Sequence, residues 1–213
     1  MTMFALAAAV IGAALGVAAD RIATRWPDHE GDYVPRHLDW RTVVVALAGA
    51  AVGAVLVTRW TEPRDLAVLG IYCVALVLLL ATDLDQKLLP DLITLPLIVF
   101  CAVVLALNWA PPLADKSLGQ VSGLIAAVGL PVFLFVSDRV LRGELGGGDL
   151  KLAVSVGLMS GVSNVFVGIL AASLGFSVVL IALIVARRIS LRSAVPFGPV
   201  LIIAAFVAAL MWG

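Results

Sequence analysis

Long apolar runs recur along the whole of this 213-residue chain, and they limit its possible folds more than any other feature. A helix needs about 20 apolar residues to cross the hydrocarbon core of a bilayer, and in lipid only helices and closed barrels satisfy every backbone polar group. We therefore predict an all-α, polytopic membrane helical bundle that forms one integral-membrane domain over residues 1–213. About eight hydrophobic helices are predicted, over residues 3–20, 42–58, 66–82, 91–109, 118–138, 149–160, 163–186 and 196–212.

The sixth predicted helix is too short to cross a bilayer alone. Its 12 residues extend only about 18 Å at the usual rise of an α-helix. We expect a partial or tilted helix whose N-terminus lies beside the membrane surface or in a protein-lined cavity. Because Asp149 begins this helix, its carboxylate is expected at that boundary.

Charge and cysteine content narrow the classes of protein that fit the chain. Hydrophobic residues make up 62% and charged residues 13% of the sequence, and the mean hydropathy of +1.13 is far from the soluble average. With 14 basic and 14 acidic residues, no polycationic surface indicates nucleic acid as a partner. Cys73 and Cys101 lie inside apolar runs and no CxxC pair occurs, so neither a disulfide framework nor a metal site is predicted, and no cofactor is expected.

The distribution of basic residues predicts which loops face the cytoplasm. Cytoplasmic loops carry an excess of Lys and Arg, and one set of loops contains only Arg59, Arg64 and Lys116. The other set is therefore assigned to the cytoplasm, together with Asp83 and Asp149. Its eleven basic residues are Arg21, Arg25, Arg36, Arg41, Lys87, Arg139, Arg142, Lys151, Arg187, Arg188 and Arg192.

Two aspartates stand where long apolar runs meet polar breaks. Asp83 closes the run 71–82, and Asp149 follows a glycine triplet and begins another apolar helix. A carboxylate at the edge of hydrocarbon is costly, so it usually has a partner or a function. Spacing alone leaves structural alternatives open: Asp149 and Asp91 are each placed to cap a helix N-terminus, and Asp83 and Asp85 also fit solvated loop residues at a membrane exit.

A pair of carboxylates has the chemistry that amide hydrolysis requires. One ionised acid removes a proton from water, while a protonated acid donates to the carbonyl oxygen or to the leaving amine. Two acids at close range cannot both ionise at low cost, so their pKa values separate and one proton is shared. The glycine triplet that includes Gly146 and Gly148 allows unusual backbone angles and a close approach of a substrate strand.

Three separated motifs resemble those of the type IV prepilin peptidases, the bacterial branch of the GxGD family of intramembrane aspartic proteases. Residues 83–91 (DLDQKLLPD) are similar to the stretch around the first aspartate of that family. Residues 146–152 (GGGDLKL) are similar to its GxGDxKL motif, and residues 196–199 (PFGP) are similar to an element that opens the last helix. The resemblance covers nearly the whole chain.

The resemblance implies that Asp83 and Asp149 form the catalytic pair. Asp85 is the alternative for the first position, and Asp83 is preferred because it stands seven residues before Pro90, the spacing of the family. Lys151 is expected either to hold the geometry of the site or to steer an acidic group of the substrate, and a lysine snorkelling to the interface is its structural alternative. The supporting positions are Gly146, Gly148, Lys151, Asp85 and Pro90.

The resemblance further implies a membrane endopeptidase that acts on prepilin or pseudopilin precursors. The expected substrate has a short basic leader, a glycine after which it is cut at the inner face of the cytoplasmic membrane, and then a hydrophobic helix. Many members have a longer cytoplasmic insertion with paired CxxC motifs that is associated with methylating the new N-terminus. The corresponding loop, over residues 20–41, is short and has no cysteine, so we expect cleavage without N-methylation.

An ion-coupled secondary transporter is the alternative function, because membrane-edge carboxylates and broken helices also bind protons or Na⁺. Neither Asp83 nor Asp149 lies in the middle of a predicted span, and no pseudo-symmetric halves are apparent in the sequence. These two features favour the peptidase. A third alternative, an inactive scaffold for pilus or secretion machinery, is disfavoured by the presence of both acids.

Overall fold

Helices form all of the regular secondary structure in the described part of the chain, which confirms the predicted all-α class. The computed structural model describes residues 2–26, 38–114, 118–141, 145–185 and 198–210, so Pro196 and Phe197 of the third motif lie outside it. The helices are α1 (Thr2–Ala23), α2 (Trp40–Arg59), α3 (Pro63–Gln86), α4 (Asp91–Ala106), α5 (Gly119–Leu141), α6 (Gly147–Val185) and α7 (Gly198–Leu210).

Five of the described helices are long and apolar enough to cross a membrane, namely α1, α2, α3, α5 and α6. The helices α4 and α7 are shorter, with 16 and 13 residues. Large apolar side chains such as Phe133 and Phe166 are exposed on the outside of the bundle, as expected for a surface that contacts lipid chains. The protein is therefore a multi-pass membrane bundle.

Gly161 divides α6 into two segments. It has φ 69° and ψ 176°, which are not helical, and this positive φ favours glycine because it has no Cβ atom. The bend packs against Leu113 and the Ser122 side chain, and the N–H of Val162 donates to Ser122 Oγ over 3.0 Å. The sixth and seventh predicted helices are therefore the two segments of α6 on either side of the break at Gly161, which accounts for the difference between eight predicted segments and seven described helices.

The two segments of α6 run in opposite directions. The first packs along α5, where Gly157 contacts the backbone of Ala126 and Ala127. The second packs along α7, with Gly168 against Ala204 and Ala208 and Ala172 nearer the start of α7. The first segment, predicted as a partial or tilted helix, thus extends across the bundle to the point at which the chain turns back.

One end of the bundle, here called the aspartate end, collects the polar ends of most helices. The Gln86 side chain, at the end of α3, donates to the Ala23 carbonyl oxygen at the end of α1 over 2.8 Å. Near the start of α2, Thr42 Oγ1 donates to Asp20 Oδ2 over 2.7 Å. The first turns of α4, α6 and α7 lie at the same end, as the contacts of the two candidate acids show below.

Candidate active site

Asp83 lies in the last turn of α3 and is only 6% exposed. Its Oδ2 atom is buried and accepts no hydrogen bond from the described residues. The carboxyl group packs against Gly198, the first residue of α7, where a Cβ atom would stand 2.6 Å from Oδ2 and 2.8 Å from Cγ. Such distances are too short for a real Cβ atom, so any larger residue at position 198 would require the Asp83 carboxyl group or the start of α7 to shift. The N-terminal turn of α7 directs the positive end of that helix's dipole toward the Asp83 carboxyl group.

Asp149 lies in the first turn of α6 and is partly exposed. Its backbone N–H donates to the Gly146 carbonyl oxygen over 3.1 Å, and its carboxylate accepts a hydrogen bond from the Gly146 backbone. The carboxylate contact is one half of a capping box, in which an acid at the third helical position bonds the backbone N–H of the residue before the helix. Part of the structural role that the sequence left open for Asp149 is thus present, and it holds the carboxylate at the start of the helix.

The segments that carry Asp83 and Asp149 touch at the aspartate end of the bundle. Gly148, next to Asp149, packs against Leu89. A Cβ atom on Gly148 would stand 2.7 Å from Leu89 Cβ and 3.2 Å from the Leu89 carbonyl oxygen. Leu89 lies in the short connection between α3 and α4. The glycine next to Asp149 therefore lets α6 begin directly against the chain that leaves the Asp83 turn.

Asp85 is placed differently from Asp83, although only two residues separate them. Two residues correspond to about 200° around a helix, so the two side chains leave opposite sides of α3. The Asp85 carboxylate pairs with Arg41 of α2, with 2.7 Å between Arg41 Nη1 and Asp85 Oδ1, and its side chain is 7% exposed. Asp85 thus fastens α3 to α2, and the structure favours Asp83 as the partner of Asp149.

The turn after Asp83 is made by Lys87 and Pro90. Lys87 has φ 55° and ψ 35°, a left-handed conformation that ends α3, and its N–H donates to the Asp83 carbonyl oxygen over 2.9 Å. Pro90 then starts α4, and its carbonyl oxygen accepts the first hydrogen bonds of that helix from Ile93 and Thr94. Pro90 therefore supports the site by directing the chain into α4 within a few residues of Asp83.

Lys151 forms an ion pair with Asp91, at the start of α4, with 2.5 Å between Lys151 Nζ and Asp91 Oδ1. Of the two functional roles predicted for Lys151, this contact supports the one that holds the geometry of the site. The N-cap position of α4 is occupied by Pro90, and Asp91 lies in the first turn of the helix, so its predicted role as the cap is wrong. Its carboxylate binds a lysine 60 residues away in sequence instead.

Three contributors to the site had no assigned role in the sequence, namely Gly198 beside Asp83, Arg41 on Asp85 and Leu89 beneath Gly148. Charge and motif position offered a partial signal, because Arg41 stands at the predicted cytoplasmic end of its helix and Gly198 belongs to the third motif. No sequence signal singled out Leu89. Within the described residues, no group of three or more His, Cys, Asp or Glu side chains is arranged to hold a metal ion.

Comparisons with known proteins agree with the motifs. Residues 70–213 match the type IV leader peptidase family. The chain is 33% identical over 173 residues to a prepilin leader peptidase/N-methyltransferase of Aeromonas salmonicida (strain A449), an alignment that covers 80% of this chain and 56% of that protein. It is 31% identical over 175 residues to the protein of the same name from Pseudomonas putida, covering 81% and 59%. The chain thus spans a little over half the length of these relatives. No solved structure matches it.

Proposed function

Because the chain belongs to the type IV leader peptidase family, we propose that it is a membrane aspartic endopeptidase that removes the leader from prepilin-like precursors. The observation that carries the proposal is the packing of Gly148 on Leu89, which brings the segments of Asp83 and Asp149, far apart in sequence, together at one end of the bundle. Both lie within the matched residues. We further propose that residues 1–213 act as one membrane-embedded peptidase domain.

The proposed reaction is direct attack by water, without a covalent intermediate. One carboxylate of the pair takes a proton from the water molecule while the oxygen of that water bonds to the scissile carbonyl carbon. The other, protonated, carboxyl group donates a hydrogen bond to the carbonyl oxygen and then a proton to the leaving nitrogen as the C–N bond breaks. Asp83 Oδ2 is buried and accepts no hydrogen bond from the described residues, so the reaction has no hydrogen bond to break at that atom, and the Asp149 side chain is partly exposed.

We propose that the aspartate end faces the cytoplasm, in the cytoplasmic membrane. Among the described basic residues, Arg21, Lys87 and Arg139 lie in the last turns of α1, α3 and α5 or just beyond them, whereas Arg59 and Arg64 lie at the opposite end. This asymmetry agrees with the excess of basic residues in cytoplasmic loops. The substrate would then present its basic leader in the cytoplasm and its hydrophobic helix in the bilayer, beside the bundle.

The proposed activity is cleavage alone. The relatives bear names that include an N-methyltransferase, and the family resemblance associates that activity with cysteine-containing motifs. The two cysteines of this chain, Cys73 and Cys101, are buried in the helical bundle as free thiols. They are therefore not available to form such a motif.

The test is to incubate the purified full-length chain in detergent with a peptide that has a basic leader, a glycine and a hydrophobic segment. We expect one cut after the glycine, read by mass, that persists when a chelator is added. A matched peptide with valine in place of the glycine should be cut much more slowly. Intact substrate peptide, combined with ion-coupled uptake in vesicles that contain the protein, would overturn the proposal in favour of the transporter.

A further inference from the structure

The first turn of α6 begins on a run of glycines, so the bonds between Asp149 and Gly146 are its main internal constraint. Three consecutive glycines, Gly146–Gly148, lead into Asp149, and glycine allows more backbone conformations than any other residue. Upstream, one hydrogen bond anchors the segment, from the Leu145 N–H to Asp138 Oδ1 over 2.9 Å. The position of Asp149 therefore depends on the contacts that this turn makes with other elements.

Two contacts, one on each side of Asp149, join this turn to Leu89 in the connection between α3 and α4 and to Asp91 at the start of α4. On one side, the backbone of Gly148 rests on Leu89, with no room for a Cβ atom. On the other side, Lys151 reaches Asp91 over 2.5 Å. Both partners, Leu89 and Asp91, follow the left-handed turn that ends the helix of Asp83. The two contacts thus connect the start of α6, which carries Asp149, to two residues that lie within eight positions of Asp83 along the chain.

The ion pair is better placed to position the turn than to stabilise the whole fold. The Lys151 and Asp91 side chains are 36% and 60% exposed, and exposed ion pairs contribute little to global stability. However, the pair spans two helix starts that no other side-chain hydrogen bond among the described residues joins. Its loss should leave the bundle folded and release the first turn of α6.

We infer that Lys151, Asp91, Leu89 and Gly148 form a latch that sets the position of Asp149 relative to Asp83. This inference rests on the proposed function, because it explains how the two acids reach a common water. Lys151 and Asp91 are positioning residues, which act through the placement of Asp149. A different role, in which the positive charge of Lys151 acts directly on Asp149 or on substrate, requires lysine at position 151 whatever stands at position 91.

Charge-exchange variants separate these roles. Lys151→Gln and Asp91→Asn should each lower kcat about 10- to 100-fold, because a misplacement near 1 Å costs about that much, with KM changed less than threefold. The double variant should be no slower than the slower single variant. Exchanging the charges, with Lys151→Asp and Asp91→Lys together, should give a kcat at least tenfold higher than that of the slower single variant. No recovery on exchange would overturn the latch, and so would wild-type kcat in both single variants.

The glycine contact has a matched pair of variants. Gly148→Ala places a Cβ atom 2.7 Å from Leu89 Cβ, whereas Gly147→Ala places one where nothing lies within 4 Å. We expect Gly148→Ala to lose at least tenfold in kcat and Gly147→Ala to stay within threefold of wild type. Adding Leu89→Gly, which removes the opposing Cβ atom, should restore part of the Gly148→Ala loss. Equal rates for the two alanine variants would contradict the steric half of the latch.

A measurement that needs no peptidase activity distinguishes failure of the latch from failure of the proposed function. Cysteines at positions 83 and 149 are joined with a short bifunctional thiol reagent, and the initial rate of cross-linking is compared in the presence and absence of Lys151→Gln. The latch predicts at least a threefold slower rate with Lys151→Gln and restoration by the charge exchange. Slower cross-linking, combined with no peptide cleavage by the protein that retains Asp83 and Asp149, would uphold the latch and reject the peptidase. Unchanged cross-linking in a protein that does cleave would reject the latch alone.

Discussion

Replacing Gly198 by alanine should displace the Asp83 carboxyl group and slow peptide cleavage by about 100-fold. The added Cβ atom would stand 2.6 Å from Asp83 Oδ2, about 0.8 Å inside the 3.4 Å at which ordinary contacts begin. Asp83 is 6% exposed, so its carboxyl group has little free space into which to move. Either the carboxyl group or the start of α7 must shift by most of that distance.

The expected size of the effect follows from this displacement. A misplacement near 1 Å at a reacting group costs about 100-fold in rate, which corresponds to about 2.7 kcal/mol of activation free energy. Alanine has a higher helix propensity than glycine, so the substitution should not weaken α7 through its backbone. The loss should therefore appear in kcat rather than in the amount of folded protein.

The assay is the rate of cleavage of a prepilin-like peptide by purified protein in detergent, with thermal unfolding measured on the same samples. Gly129→Ala is the matched control, because a Cβ atom at Gly129 in α5 would meet nothing within 4 Å. It should retain the wild-type rate. Wild-type kcat for Gly198→Ala would refute the reasoning, since it would mean that the position of the Asp83 carboxyl group does not matter for catalysis.

Two further predictions concern the frame around the site. Gly49→Ala should lower the unfolding temperature, because a Cβ atom there meets the backbone of Gly12 where α1 crosses α2, and such overpacking costs about 1–3 kcal/mol. Gly70→Ala is the control, because a Cβ atom at that position meets nothing within 4 Å. Equal unfolding temperatures for the two variants would contradict this packing. Asp85→Asn should stay within tenfold of the wild-type cleavage rate, because the Asp85 carboxylate binds Arg41 on the far side of α3; a loss as large as that of Asp83→Asn would mean that the two aspartates have been assigned in the wrong order.

Much of the bundle could be predicted from the sequence, because hydrophobic run length alone decides which segments cross a membrane. The shortness of one run predicted a partial or tilted helix, but not the sharp reversal at Gly161, whose positive φ is not encoded in the hydrophobic pattern. The motifs pointed to Asp83 and Asp149 as the candidate acids. Their surroundings depend on pairs distant in sequence, such as Lys151 with Asp91 and Arg41 with Asp85, and local patterns carry no information about such pairs.

The central claim is that Asp83 and Asp149 together perform the chemistry, and substitution of each acid by its isosteric amide tests it most directly. The rate of cleavage of one prepilin-like peptide is measured for Asp83→Asn, Asp149→Asn and Asp85→Asn, with membrane insertion and unfolding checked for each variant. We predict a loss of at least about 1,000-fold for the first two, because proton transfer fails when either acid is lost, and continued cleavage for the third. Cleavage near the wild-type rate by folded Asp83→Asn or folded Asp149→Asn protein would contradict the claim.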